Sequence, residues 1–179
     1  ITCARTLTAD VVAIDQPIVN SRLGASNVNG MMYALARDVR DVAGQPRLRE
    51  DKRPRPLVLR VAAGDCLDVT FTNRLRALPN PLNAPLDNDG IGNDPNPATA
   101  NGIPQIPVFV DEQVLERRVG FHASGMQLRA QGGIANDGTN VGRNASSLMA
   151  PGQSTTYRLY AEHEGVFQVI NTGALVGSD

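Results

Sequence analysis

The sequence predicts an all-β fold, a β-sandwich with Greek-key connections and long irregular loops. Three observations carry that expectation. Apolar residues fall at every second position in several short runs, Gly- and Pro-containing turns separate those runs, and no stretch sustains a helical period. At 179 residues the chain has the size of one domain able to bury a substantial core.

The first strand is expected over 9–19, with Pro17 marking an edge or a bend. Residues 20–30 are rich in Asn, Ser and Gly and read as loop. The run 31–39 reads equally as a short helix or a buried strand, because so few residues cannot separate the two periods. Together, residues 1–45 are expected to wrap the outside of the domain. Residues 45–56 (QPRLREDKRPRP) form a Pro-punctuated connector whose basic side chains alternate with Glu50 and Asp51, the pattern of a solvated loop.

Leu57, Leu59 and Val61 then share one face of an expected strand. Gly64-Asp65 makes a turn, and the next strand turns Leu67, Val69 and Phe71 inward with Asp68, Thr70 and Thr72 outward, closing at Asn73. Residues 74–105 are dense in Pro, Asn, Asp and Gly and lack periodicity. A loop of that length is expected to be functional, to be mobile, or to pack against another part of a larger protein. Strands are expected to resume at 106–110 and 114–122, then at 155–161 with Tyr157 and Leu159 on one face, and finally at 166–170.

Composition excludes several functions. A net charge of -1 gives no long-range attraction to nucleic acid or to an anionic bilayer, and the absence of Trp argues against an aromatic stacking platform. No apolar run has the length of a membrane span. The chain opens at Ile1 and closes at Asp179 just after a strand-like run, so the expectation is a piece of a larger secreted, periplasmic or extracellular protein. In such a compartment Cys3 and Cys66 would form a disulfide stapling the terminus to the sheet. The alternative is one buried thiol and one disordered thiol.

Two segments, Gly64 to Asn73 and Met149 to Leu159, each couple a tight Gly-containing turn to an alternating strand. This pairing resembles the strand entries of a cupredoxin-like domain from a multicopper oxidase. Between them, Val119-Gly120-Phe121-His122-Ala123-Ser124-Gly125 is similar to the family's His-X-His-Gly copper segment, with Ser124 in place of the second imidazole. The closing run Gly165 to Thr172 is similar to the final copper strand, with Ile170 and Thr172 where a His-X-His pair would stand. The run Asn20 to Gly24, followed by Asn29 to Leu35, resembles the entry of the large bacterial type, which includes manganese-oxidising multicopper oxidases. The resemblance covers most of residues 10–177.

The resemblance implies a parent that oxidises a metal ion or a phenol one electron at a time and reduces dioxygen to water. It also implies copper in that parent and sister cupredoxin domains, or other subunits, as partners. The donors here are few. A type 1 copper needs two His, a Cys thiolate and usually an axial Met. This chain has only His122 and His163, and neither Cys lies beside a histidine. By the resemblance His122 would donate one ligand to a copper cluster completed elsewhere, and the alternative is a relic histidine hydrogen-bonded near the sheet end. His163, between Glu162 and Glu164, is expected to be exposed. Ser124 lies two residues from His122, a spacing that does not align a nucleophile with its base.

A second candidate is the run 87–94 (DNDGIGND), where Asp87, Asp89, Asn93 and Asp94 are possible calcium ligands around Gly bends. Otherwise these residues are turn formers. Asn144-Ala145-Ser146 matches a glycosylation sequon. The function expected is a copper-poor, mainly structural cupredoxin domain of a secreted multicopper oxidase. The competing expectation is an extracellular β-sandwich binding or assembly module that uses its long loop, with calcium as a stabiliser.

Overall fold

The computed structural model describes residues 1–20, 22, 24–27, 30–76, 117–129, 136–139 and 146–171. All of them belong to one compact unit, Ile1–Arg76 together with Arg117–Ala174. Within the described residues the chain is all-β apart from the 3-10 turn at Ala36–Asp38 and a 3-10 residue at Asn136. The expected strands at 106–110 and most of the loop 74–105 lie outside the described residues.

The elements in chain order are β1 (Thr6–Asp15), β2 (Ile18–Asn20), β3 (Ala25–Asn27), β4 (Met31–Leu35) and the 3-10 turn η1 (Ala36–Asp38). They continue with β5 (Val39–Val42), β6 (Gln45–Leu48), β7 (Cys66–Asn73), β8 (His122–Ala123), β9 (Gln127–Leu128), β10 (Ser154–Tyr160) and β11 (Val169–Ile170). Five of these strands form one sheet in the order β4-β1-β7-β10-β9. β1 runs parallel to β7, whereas β4, β10 and β9 join antiparallel to their neighbours.

β1 corrects the expectation of an outer wrap. It lies inside the sheet, laddered on both edges, and Val11 to Ile14 are buried without interruption. The reason is coverage of both faces. Val11 and Ala13 enter the main core, while Val12 and Ile14 pack on the other side with Ala34, Met32, Val39 and Leu48. The β5–β6 hairpin supplies part of that second cover, which is why the start of the charged 45–56 connector is strand rather than loop. The ambiguous 31–39 run resolves into strand, a single 3-10 turn, and strand.

The main core joins Leu67, Val69 and Phe71 of β7, Tyr157 and Leu159 of β10, and the Val119, Phe121 and Ala123 side chains of the segment that carries β8. Every inward residue expected on β7 and β10 is buried. The 57–63 stretch alternates as expected, with Leu57 and Leu59 packed against the core and Val58 71% exposed, yet it joins no ladder. Side-chain burial without main-chain pairing suffices to generate the pattern. Of the expected 114–122 strand, Val119 makes an isolated bridge to Met149 and His122 opens β8.

Cys3 and Cys66 are joined in a disulfide with Cα atoms 5.4 Å apart. Around it, the Ala4 amide donates to the Gly64 carbonyl, the Cys66 amide donates to the Arg5 carbonyl, and Arg5 Nε meets the buried Asp65 carboxylate at 2.6 Å. The terminus is thus bound covalently, by main-chain hydrogen bonds and by an ion pair.

Candidate functional site around His122

His122 is placed by alternation. Phe121 and Ala123 point into the core, so the residue between them faces the other way and is half-buried. β8 pairs with β11 so that His122 lies opposite Ile170 and Ala123 opposite Val169. The Ser124 amide extends the contact by donating to the Gln168 carbonyl at 2.9 Å.

The imidazole is oriented by a turn that sequence reasoning did not single out. His122 Nδ1 lies 2.8 Å from the main-chain carbonyl of Asp137. A carbonyl oxygen only accepts, so Nδ1 carries the proton and the lone pair of the neutral ring resides on Nε2. Close backbone approach makes this contact possible. A Cβ at Gly138, where φ is +81°, would come within 2.5 Å of the Phe121 carbonyl oxygen. A Cβ at Gly120 would come within 2.0 Å of the Gly138 carbonyl oxygen. Glycine at both positions lets the Asp137-Gly138 turn lie directly on the His122 strand.

That turn is itself held from below. Asp137 Oδ1 accepts from the Thr139 amide at 2.9 Å and the Thr139 hydroxyl at 2.6 Å, and the Ser147 hydroxyl approaches it at 3.2 Å. Ser147 Oγ in turn accepts from the Gly138 and Thr139 amides. Tyr157 then donates its hydroxyl to the Ser147 carbonyl at 2.6 Å, tying the turn to the middle of β10. Tyr33 donates to the Gly120 carbonyl from the opposite side. Burial pushes both phenols well above their ordinary value of 10.0, so they serve as neutral donors. The rings of Tyr33, Phe71, Phe121 and Tyr157 form one cluster, with centroids 5.7 to 6.5 Å apart in the pairs that touch. The Asn-Asp-Gly tripeptide 136–138 was the available sequence signal for the turn. Nothing local marked Ser147 or Tyr33 as its supports.

The other candidates are not brought to His122. His163 is 76% exposed and its Nε2 lies 3.5 Å from Glu162 of the same loop. Ser124 is exposed. Met126, Met149 and Met31 pack against the main core, and Met31 Sδ accepts from Arg117. Among the described residues no group of three or more His, Cys, Asp or Glu side chains is arranged to hold a metal ion. The disulfide also removes both cysteines from the donor set, so this chain has no thiolate for a type 1 copper. A complete copper centre does not fit the described residues, which offer one oriented imidazole. The calcium candidates Asp87, Asp89, Asn93 and Asp94, the sequon residue Asn144 and Thr172 lie outside the described residues. Among the described residues no helix is long and apolar enough to cross a membrane.

Comparison with known proteins finds no family model and no curated protein that matches this chain.

Proposed function

We propose that the chain is a cupredoxin-like Greek-key domain, poor in copper ligands and mainly structural, within a secreted multicopper oxidase of the large bacterial type. The observation that carries the reading is the pairing of His122 with Ile170. The segments 119–127 and 165–172 resemble copper strands, and their first expected imidazole positions, His122 and Ile170, lie opposite one another across β8 and β11. Ligands that build one centre need such convergence, which supports the reading.

Three further features support the reading. The Gly-Asp and Pro-Gly turns belong to β7 and β10, which are adjacent antiparallel strands. His122 has its Nδ1 held by a carbonyl, the arrangement that orients a histidine for donation through Nε2. The disulfide suits an oxidising, extracytoplasmic compartment. In this reading His122 stands at a boundary shared with a sister domain that holds the remaining donors, and the parent couples one-electron substrate oxidation to dioxygen reduction.

Metal analysis and visible absorption of the purified chain, alone and joined to its neighbouring domains, test this. The expected result is no stoichiometric copper alone, and copper in the longer protein that falls when His122 is replaced by Ala. Intense blue absorption from residues 1–179 alone would overturn the proposal. Calcium-dependent melting without copper in either form would favour an extracellular binding module.

A further inference from the structure

A second site lies at the end of β1, where Asp15, Pro17, Gln45, Pro46, Arg47 and Arg76 line a pocket of about 160 Å³. Its charges are unbalanced. Asp15 is the only acidic side chain among the described lining residues, and both of its oxygens are already engaged. Oδ1 accepts from Arg117 Nη2 at 2.6 Å, and Oδ2 accepts from the Arg76 main-chain amide at 2.8 Å.

Arg117, 10% exposed, also donates from Nε to the Arg76 carbonyl and from Nη1 to Met31 Sδ. It therefore fixes the backbone of Arg76 and neutralises Asp15 from behind. The Arg76 guanidinium is left with Nε 3.7 Å from Asp15, beyond hydrogen-bond reach. Among the described residues the Arg47 guanidinium has one partner, Gln45 Oε1 at 3.3 Å, and no carboxylate. Arg117 and Arg76 thus flank the Asp15 carboxylate at 2.6 and 3.7 Å, Arg47 lines the same pocket, and these three guanidiniums outnumber the one described carboxylate of the lining.

We propose that this pocket binds a doubly charged small oxyanion, a phosphate or a short dicarboxylate. Two guanidiniums lining one small pocket repel each other, and an oxyanion between them replaces that repulsion with two forked, charge-assisted contacts. The walls suit this role. Pro17 and Pro46 offer no amide to compete for the ligand and hold the backbone stiff. Arg47 sits on the β5–β6 hairpin and Arg76 is pinned by Arg117, so the two forks are carried by ordered elements. The inference is independent of copper and of the family reading above.

Titrating the chain with inorganic phosphate, malonate and chloride at matched ionic strength, followed by amide NMR, tests it. Saturable shifts at Gln45, Arg47 and Arg76 are expected with phosphate, malonate or both. Arg47→Gln should weaken binding about tenfold or more. Arg60→Gln, which removes a positive charge outside the pocket, should leave binding unchanged. Equal responses to phosphate, malonate and chloride would overturn the site. Equal losses from the two variants would also do so, because they would reduce the effect to net charge.

Discussion

Asn73 Nδ2 donates to the main-chain carbonyl of Met149 at 2.7 Å, and this fully buried amide joins three chain segments that are distant in sequence. The same nitrogen donates to the Arg117 carbonyl at 2.6 Å, and Oδ1 accepts from the Leu75 amide at 3.0 Å. The Asn73 main chain meanwhile exchanges hydrogen bonds with Gln153 and Gly152 of the Pro-Gly turn. The end of β7, the entry to the His122 segment and the entry to β10 therefore meet on one side chain. Asn73→Ala takes the described donor from the Arg117 carbonyl and the described acceptor from the Leu75 amide, leaves the Met149 carbonyl with the Val119 amide alone, and should cost about 2–4 kcal/mol in urea unfolding. Asn73→Asp should cost at least as much, because a carboxylate oxygen would face two carbonyl oxygens. A variant within about 0.5 kcal/mol of the parent would show that these bonds are dispensable.

Closing a loop of 63 residues with the Cys3–Cys66 disulfide restricts the unfolded chain. Cys3→Ser, or reduction, should lower stability by about 2–4 kcal/mol. Cys66→Ser should lower it further, since it also places a hydroxyl at a fully buried position. Paired denaturation curves with and without reductant check the order of the two.

The folded-state pKa values of Tyr33 and Tyr157 are raised, chiefly by burial, above those of an unfolded phenol. Their contribution to stability is complete below about pH 10 and is lost as pH rises beyond it. Alkaline titration should show two of the three tyrosines ionising only as the protein unfolds. Tyr157→Phe should blunt the alkaline loss while lowering stability near neutrality by about 1 kcal/mol, because the Ser147 carbonyl loses its donor. Both tyrosines titrating with the native β-sheet circular dichroism intact would contradict this account.

Gly120→Ala should be a damaging single-methyl addition near the site, since its Cβ would meet the Gly138 carbonyl oxygen at 2.0 Å, a backbone atom that cannot swing away. A loss of about 2 kcal/mol or more is expected, with displacement of the Asp137 carbonyl from His122. Ring-nitrogen NMR reads that displacement directly. The parent protein should show the Nδ1–H tautomer at a pH where the ring is neutral, and the variant a mixture.

The all-β character, the β7 and β10 strands with their inward residues, and the turns at Gly64 and Gly152 were legible in the sequence. Period-two alternation and glycine's access to positive φ are local properties. The resemblance to the family's copper segment nominated His122, but as an isolated imidazole. The interior place of β1, its parallel pairing with β7, and the contact of Asp137 with His122 were decided by tertiary structure. An apolar run buried on both faces has no alternation to betray its place, and a hydrogen bond to a main-chain carbonyl leaves no trace in side-chain identity. The pocket between Arg47 and Arg76 was equally hidden, because a solvated charged connector and one wall of an anion site have the same composition until folding sets them against a second cation.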